Sequence, residues 1–205
     1  MRLIQAFLFF LLSCAPAMAA EGAPRLLVLG DSLTAGYGLK AEDSFPAKLE
    51  AALRRRGHAV TVVNAGVSGD TTAGGRARLD WAMAETPRWA IVELGANDGL
   101  RGISPKDTEA NLDAILSTLR RRQVPILLAG MLAPPNLGRE YGQAFNAVFP
   151  RLAKVHGAAL YPFFLDGVAG QRALNQDDGI HPNARGVDMI VERILPHVLK
   201  LVARR

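Results

Sequence analysis

Four short stretches hold the residues able to do chemistry: Gly30-Asp31-Ser32-Leu33, Asn64-Ala65-Gly66 running into Val67-Ser68-Gly69-Asp70, Gly95-Ala96-Asn97-Asp98, and Asp178-Gly179-Ile180-His181-Pro182. A serine hydroxyl is a weak nucleophile until a base takes its proton. A histidine does this near neutral pH, provided a partner fixes its tautomer and stabilises the imidazolium. Ser32 and His181 fit the first two roles. The turn before the histidine supplies the third, with Asp178 three residues upstream and Asp177 beside it as a rival. Attack on a carbonyl also creates an oxyanion, which needs donors aimed in advance. The N–H of Ser32 serves if it lies at a helix N-terminus, where the dipole favours negative charge. The N–H of Gly66 serves because no side chain blocks approach, and the Asn97 amide is a third donor. Singly these motifs are weak: Gly-Asp-Ser also reads as a capped turn, and an Asp/His pair as a surface pair. Their order along one chain is what points to acyl transfer through serine.

Such groups must be gathered by a scaffold. Short, continuous apolar runs at Arg25–Leu29, Ala59–Val63, Trp89–Leu94, Pro125–Ala129 and Ala158–Tyr161 read as parallel strands covered on both faces. Between them, Phe45, Leu49, Ala52 and Leu53 fall on one helical face, as do Leu112, Ile115, Leu116 and Leu119. A last helix carries Val187, Ile190, Val191, Ile194, Leu195 and Val198. Thr71–Glu85 and about Glu140–His156 are weaker helices, the first diluted by Gly74 and Gly75. Alternating strand and helix implies an α/β fold in three layers, with helices on both faces of a parallel sheet of about five strands. Ligands of such sheets bind beyond the carboxyl ends of the strands, and three of the four reactive stretches directly follow strands.

The longer strings around these residues resemble the SGNH, or GDSL, hydrolases. Gly30-Asp31-Ser32-Leu33-Thr34-Ala35-Gly36-Tyr37-Gly38, Asn64-Ala65-Gly66-Val67-Ser68-Gly69-Asp70-Thr71-Thr72 and Asn97-Asp98-Gly99-Leu100-Arg101-Gly102 are most similar to the bacterial periplasmic thioesterase I, lysophospholipase and arylesterase group. Ala96 departs from it, standing where glycine is expected. The resemblance implies a flavodoxin-like sheet, no cofactor, and hydrolysis of acyl esters and thioesters by the roles just assigned. Its three-residue spacing selects Asp178 over Asp177. With the same triad, a sugar or cell-wall glycan O-acetylesterase is the alternative, and a non-catalytic periplasmic binding module is a reading from another class.

Gly99 to Ser104 and Met131 to Tyr141 should flank the serine. Gly99, Leu100, Met131, Pro134, Leu137 and Tyr141 are therefore the candidate substrate contacts, an apolar set suited to a medium or long acyl chain. Asp31 is read as holding the turn through backbone N–H groups, and Asp98 and Arg101 as tuning the loop after Asn97. Trp81 and Trp89 are read as core. His58, His156 and His197 lack partners at ligand spacing, so no metal is expected.

The 205 residues, 49% hydrophobic, suffice for one domain with a core. The net charge of +5 is spread, and Arg54-Arg55-Arg56 and Arg120-Arg121-Arg122 sit where helices should end, which suits the helix dipole. No recognition motif for nucleic acid accompanies them. Arg2, the apolar run Leu3 to Leu12 and Ala17-Met18-Ala19 read as a signal peptide, with cleavage after Ala19 and the hydrolase domain over 20–205. The run is too short to span a bilayer, so a periplasmic or secreted enzyme without stable membrane insertion, monomeric or weakly oligomeric, is expected. Leu11-Leu12-Ser13-Cys14 loosely resembles a lipoprotein box, but Leu12 fits it poorly. Cys14 is the only cysteine and leaves with the signal peptide, so the mature chain has no disulfide and no thiol nucleophile.

Overall fold

The computed structural model describes residues 22–204; the stretch expected as a signal peptide and Cys14 lie outside them. Five strands form one parallel sheet among these residues: β1 (Arg25–Gly30), β2 (Thr61–Gly66), β3 (Trp89–Glu93), β4 (Ile126–Ala129) and β5 (Ala159–Tyr161), in the order β2-β1-β3-β4-β5. This is the flavodoxin-like order, whose direction reverses between β1 and β3. The central strands are apolar because both faces are covered: Leu26 to Leu29, Ala90 to Val92 and Leu127 to Leu128 are all buried. β2 begins two residues later and ends three residues later than its apolar pattern suggests. Asn64 and Gly66 look like a turn in sequence, yet the ladder with β1 runs on until Gly30 lies opposite Gly66.

Nine helices are described: α1 (Ser32–Ala35), α2 (Phe45–Arg55), α3 (Thr72–Ala77), α4 (Leu79–Ala82), α5 (Ala96–Leu100), α6 (Pro105–Arg121), α7 (Arg139–Asn146), α8 (Val148–His156) and α9 (Ala184–Val202). α2 packs beside α9, while α6 packs against α3 and α8, and the buried strands lie between these two groups. The apolar faces of α2, α6 and α9 are the ones their spacing predicts. Arg54 and Arg55 close α2, and Arg120 and Arg121 close α6, at the negative ends of the helix dipoles.

Two stretches expected as single helices are broken. In Thr71–Glu85, α3 stops and α4 starts at Arg78, whose side chain reaches the strand ends. The turn of the new axis buries Leu79, Ala82 and Met83 and leaves Trp81 71% exposed, which corrects its assignment to the core. Trp89 is buried, with its indole N–H donating to the Arg204 carbonyl. In the second stretch, α8 restarts after Ala147 because Pro150 has no N–H to continue α7 and is tolerated only in a first turn.

Gly30, the last residue of β1, sets how closely β1 and β3 approach. A Cβ there would press first on Thr34 Oγ1 and would also sit 2.8 Å from both the Glu93 carbonyl oxygen and Glu93 Oε2. Gly30→Ala should therefore destabilise the fold by about 2 kcal/mol through overpacking, which in a domain of this size lowers the Tm by roughly 4–8 °C. An unchanged thermal unfolding curve would show that the strand ends have room to spare.

Candidate active site

Where β1 ends, the chain turns directly into α1. Asp31 forms the turn as N-cap, its Oδ1 accepting the Leu33 N–H at 3.0 Å. Ser32 is thereby the first residue of α1, and its own N–H has no carbonyl behind it to bond. On the far side of the cleft, residues 174–183 fold back on themselves. Gln176 N–H donates to the His181 carbonyl at 2.8 Å and Asn183 N–H to the Leu174 carbonyl at 2.9 Å. Asn183 then caps α9, its Oδ1 accepting from Arg185 and Gly186. This ladder holds Asp178 and His181 at its tip.

Three side chains meet there in a line of hydrogen bonds. His181 Nδ1 lies 2.6 Å from Asp178 Oδ2, and His181 Nε2 lies 3.0 Å from Ser32 Oγ. With Nδ1 donating to the carboxylate, Nε2 is left to accept the serine proton, as a general base must. Asp178 Oδ1 accepts the N–H groups of Ile180 and His181, both at 3.0 Å. These bonds, the His181 N–H foremost, hold the carboxyl down at about 2, so it is charged throughout the working range. Asp177 makes no such bond among the described residues. The Tyr37 ring, 52% exposed, lies 4.6 Å from the imidazole, centroid to centroid. It covers the histidine from the side of α1.

Of the groups expected as oxyanion donors, Asn97 and Gly66 are placed differently from each other. Asn97 follows β3 in the first turn of α5, and its Nδ2 donates to the Asp70 carbonyl at 2.9 Å and to Asp31 Oδ2 at 3.3 Å. Gly66, however, is the last residue of β2, and its N–H is taken by Asn64 Oδ1 at 3.0 Å. Three residues on, Gly69 has φ +84°, a backbone that glycine adopts freely, and its N–H has no acceptor among the described residues. Arg101 Nη2 donates to the Gly69 carbonyl at 2.9 Å, which ties that loop to the one after Asn97. Arg78 reaches Asp70, the Ala65 carbonyl and the Gly30 carbonyl at 2.5, 2.7 and 2.9 Å, pinning the ends of β1 and β2 together. Asp98 is buried and accepts from Thr72 and Thr108, which joins α3 and α6 beneath α5.

A cleft of about 500 Å³ opens beside Ser32. Leu100, Met131 and Pro134 line it, as do Leu132 from the same expected loop, Ile180 from the turn before His181, and Phe163 and Leu165, which the sequence reading did not name. Gly99, Leu137 and Tyr141 lie outside this lining. Gly99 is buried against Pro134 and Phe145, and Leu137 lies beside Gly102. Tyr141 stacks on Phe145 and donates to the Ile103 carbonyl at 2.8 Å, so it braces the loop after α5 from behind. Another unforeseen group is Glu93, fully buried on β3, with its Oε2 accepting the Asp31 N–H at 3.4 Å. A lone glutamate in an apolar parallel strand was the available signal. His156 Nε2 bonds Asp113 Oδ1 at 2.8 Å and His197 packs on Tyr161. Among the described residues no cluster of three or more His, Cys, Asp or Glu side chains is arranged to hold a metal ion, and no helix is long and apolar enough to cross a membrane.

Known proteins resemble this chain in sequence and in shape. The profile of the GDSL-like lipase/acylhydrolase family matches residues 28–189. The chain is 40% identical over 200 residues to an arylesterase of Vibrio mimicus, covering 97% of this chain and 98% of that protein. It is 42% identical over 197 residues to thioesterase 1/protease 1/lysophospholipase L1 of Escherichia coli (strain K12), covering 96% and 92%. The crystal structure of AlinE4, a SGNH-hydrolase family esterase, superposes with a TM-score of 0.75 at 49% identity, over 89% of this chain and 98% of that one.

Asp178→Asn should keep the fold but lower kcat for ester hydrolysis by about 10³–10⁴-fold, the scale on which a mis-set histidine tautomer acts, while Asp177→Asn stays within about twofold of wild type. Because the Asp178 carboxyl is depressed to about 2, its stabilising contribution is present above its ordinary pKa near 4 and lost as pH falls through about 2. The Asn variant should accordingly show a shallower acid limb of Tm against pH. Equal kcat losses in the two variants would remove Asp178 from the assigned role.

Proposed function

The chain belongs to the GDSL-like lipase/acylhydrolase family and is an ester-hydrolysing enzyme, and on that premise we propose that it works through Ser32, His181 and Asp178 on substrates with an apolar acyl chain. The observation that carries this reading is the unbroken line of bonds from Asp178 through His181 to Ser32 Oγ at the mouth of an apolar cleft.

In this mechanism His181 Nε2 takes the proton of Ser32 as Oγ attacks the acyl carbon, and Asp178 balances the imidazolium that forms. The Tyr37 ring face beside the imidazole adds a favourable quadrupole for that positive charge. The tetrahedral oxyanion is held by the free N–H of Ser32, by the Gly69 N–H in place of Gly66, and by Asn97 Nδ2, whose longer bond to Asp31 is the one it can exchange. His181 returns its proton to the leaving group, an acyl-enzyme remains on Ser32, and water repeats the sequence to release the acid. The acyl chain runs along Leu100, Met131, Leu132, Pro134 and Ile180. Relatives named arylesterase and thioesterase 1/protease 1/lysophospholipase L1 support aryl esters, thioesters and lysophospholipids as the substrate classes. Residues 1–19 serve as a cleaved export segment, which makes the enzyme periplasmic or secreted, with one hydrolase domain over 20–205. N-terminal sequencing of the mature protein should start at Ala20; a chain starting at Cys14 would mean a lipid anchor.

The direct test is hydrolysis of p-nitrophenyl acetate, butyrate, octanoate and palmitate by the mature protein and its Ser32→Ala variant. Wild type should show kcat/KM rising from acetate to the longer chains, and Ser32→Ala should lose at least about 10³-fold on each. A steady preference for acetate would move the substrate to acetylated glycans.

A further inference from the structure

Glu93 is the one fully buried ionisable group of the site that the mechanism leaves without a task. It sits at the end of β3, opposite Gly30 on one side and Ala129 on the other, so neither neighbouring strand offers it a counter-charge. Its Oε1 has no hydrogen-bond partner, and its Oε2 faces the turn that leads into Ser32. Two buried carboxyls share this space, since Asp31 is also 0% exposed. Both cannot be charged without water or a cation between them. Their donors decide which one is. Asp31 accepts from the Leu33 N–H and from Asn97 Nδ2, whereas the Glu93 side chain accepts only the long bond from the Asp31 N–H. The negative charge belongs on Asp31 and the proton on Glu93. Burial pushes both groups up, Asp31 to about 6 and Glu93 well above the usual carboxyl range. The other charged groups nearby act on Asp31: Asp70 raises it and His181 lowers it. The Arg78 guanidinium lies one residue away, on the Gly30 carbonyl.

We propose that Glu93 is a positioning residue: uncharged and buried, it shares its proton with the Asp31 carboxylate, which in turn caps the serine helix and holds the Asn97 amide. Glu93 touches no substrate. It acts through Asp31 on the two groups that flank the oxyanion. The proposal rests on Ser32 as nucleophile and Asn97 as oxyanion donor, so the experiment includes a measure of that reading.

The experiment compares wild type, Glu93→Gln and Glu93→Leu. Active sites are counted with a fluorophosphonate, and kcat and KM for p-nitrophenyl butyrate are followed from about pH 5 to 9. Glutamine keeps a donor beside Asp31 and should preserve kcat per active site within about threefold, with the acid limb unmoved. Leucine removes the donor, so Asp31 holds its proton to higher pH. Its kcat per labelled site should fall at least about tenfold with KM little changed, and its acid limb should move up by half a pH unit or more. Leucine with wild-type kcat and acid limb would reduce Glu93 to packing and overturn the proposal. Glutamine as damaged as leucine would also overturn it, because then the charge rather than the proton is required. Thermal unfolding against pH covers the case in which leucine does not fold. A carboxyl held uncharged in the fold gives stability present at low pH and lost as pH rises toward its raised pKa. The Tm of Glu93→Gln should therefore gain on wild type between about pH 5 and 9; a constant difference would mean that Glu93 is not protonated and would sink the idea. Failure of wild type to take the fluorophosphonate would instead remove the serine reading, and the proposed positioning role with it.

Discussion

Ser32 and Asn97 both hang from the place where β1 stops. β1 lies between β2 and β3, and the chain order reverses there, so the loops leaving β1 and β3 diverge and open a crevice. Asp31 stands at that point, buried, and its carboxylate is shared by two loops. One oxygen caps the helix that begins with Ser32, and the other receives Asn97 from the loop after β3. The proposed nucleophile Ser32 and the proposed oxyanion donor Asn97 are therefore set against each other by one buried group rather than by two independent loops. His181 arrives from the other end of the chain on a ladder that α9 anchors. The ends of β1 and β2 are fastened to Asp70 by a single guanidinium, that of Arg78. Preorganisation of this kind matters because donors held beside the site of the oxyanion need little reorganisation; in the proposed mechanism only the longer Asn97 bond to Asp31 is exchanged.

The cleft complements that rigid floor with a softer wall. Met131, Leu132, Pro134 and Pro135 follow β4, and Leu100 and Ile180 reach over from the loops that carry Asn97 and His181. An acyl chain laid there touches both loops that hold the reacting atoms. Binding energy from the chain is then available to align the ester at Ser32, which links chain length to kcat as well as to KM. Tyr141 lies behind the wall, bonded to the Ile103 carbonyl, and limits how far the loop after α5 can retreat.

Much of this was legible in the amino acids, and the parts that were not share a cause. Continuous apolar runs marked every strand, because parallel strands need no polar face, and a helical stripe marked α2, α6 and α9. Ser32, Asn97, Asp178 and His181 could be named because each combines a reactive type with a position after a strand or in a turn. Gly66 and Gly69 could not be told apart by type. The distinction is whether an N–H is already spent on Asn64, a fact of the ladder between β1 and β2. The end of β2 was misjudged for the same reason, since Asn64 and Gly66 resemble a turn until β1 is placed beside them. Trp81 turned outward because a helix broke at Arg78, and that break follows from carbonyls on β1 and β2 far away in sequence. Tyr141 and Leu137 fell in the right loop but on the wrong side of it.

The two acids that matter most at this site are driven in opposite directions by their surroundings. Asp178 sits near the surface among backbone N–H groups, and those donors keep it charged. Glu93 sits in the core with a neighbouring carboxylate and an oxygen that nothing bonds, and burial keeps it neutral. A charge beside His181 is useful in the proposed mechanism, which forms an imidazolium there. A second charge beside Asp31 would repel it from the turn it caps. Placing one acid on an exposed loop and the other in an apolar strand separates the two outcomes without any further group. The acid in the strand also needs space at the crossing of β1 and β3, where Gly30 has no Cβ to press on it or on Thr34 Oγ1.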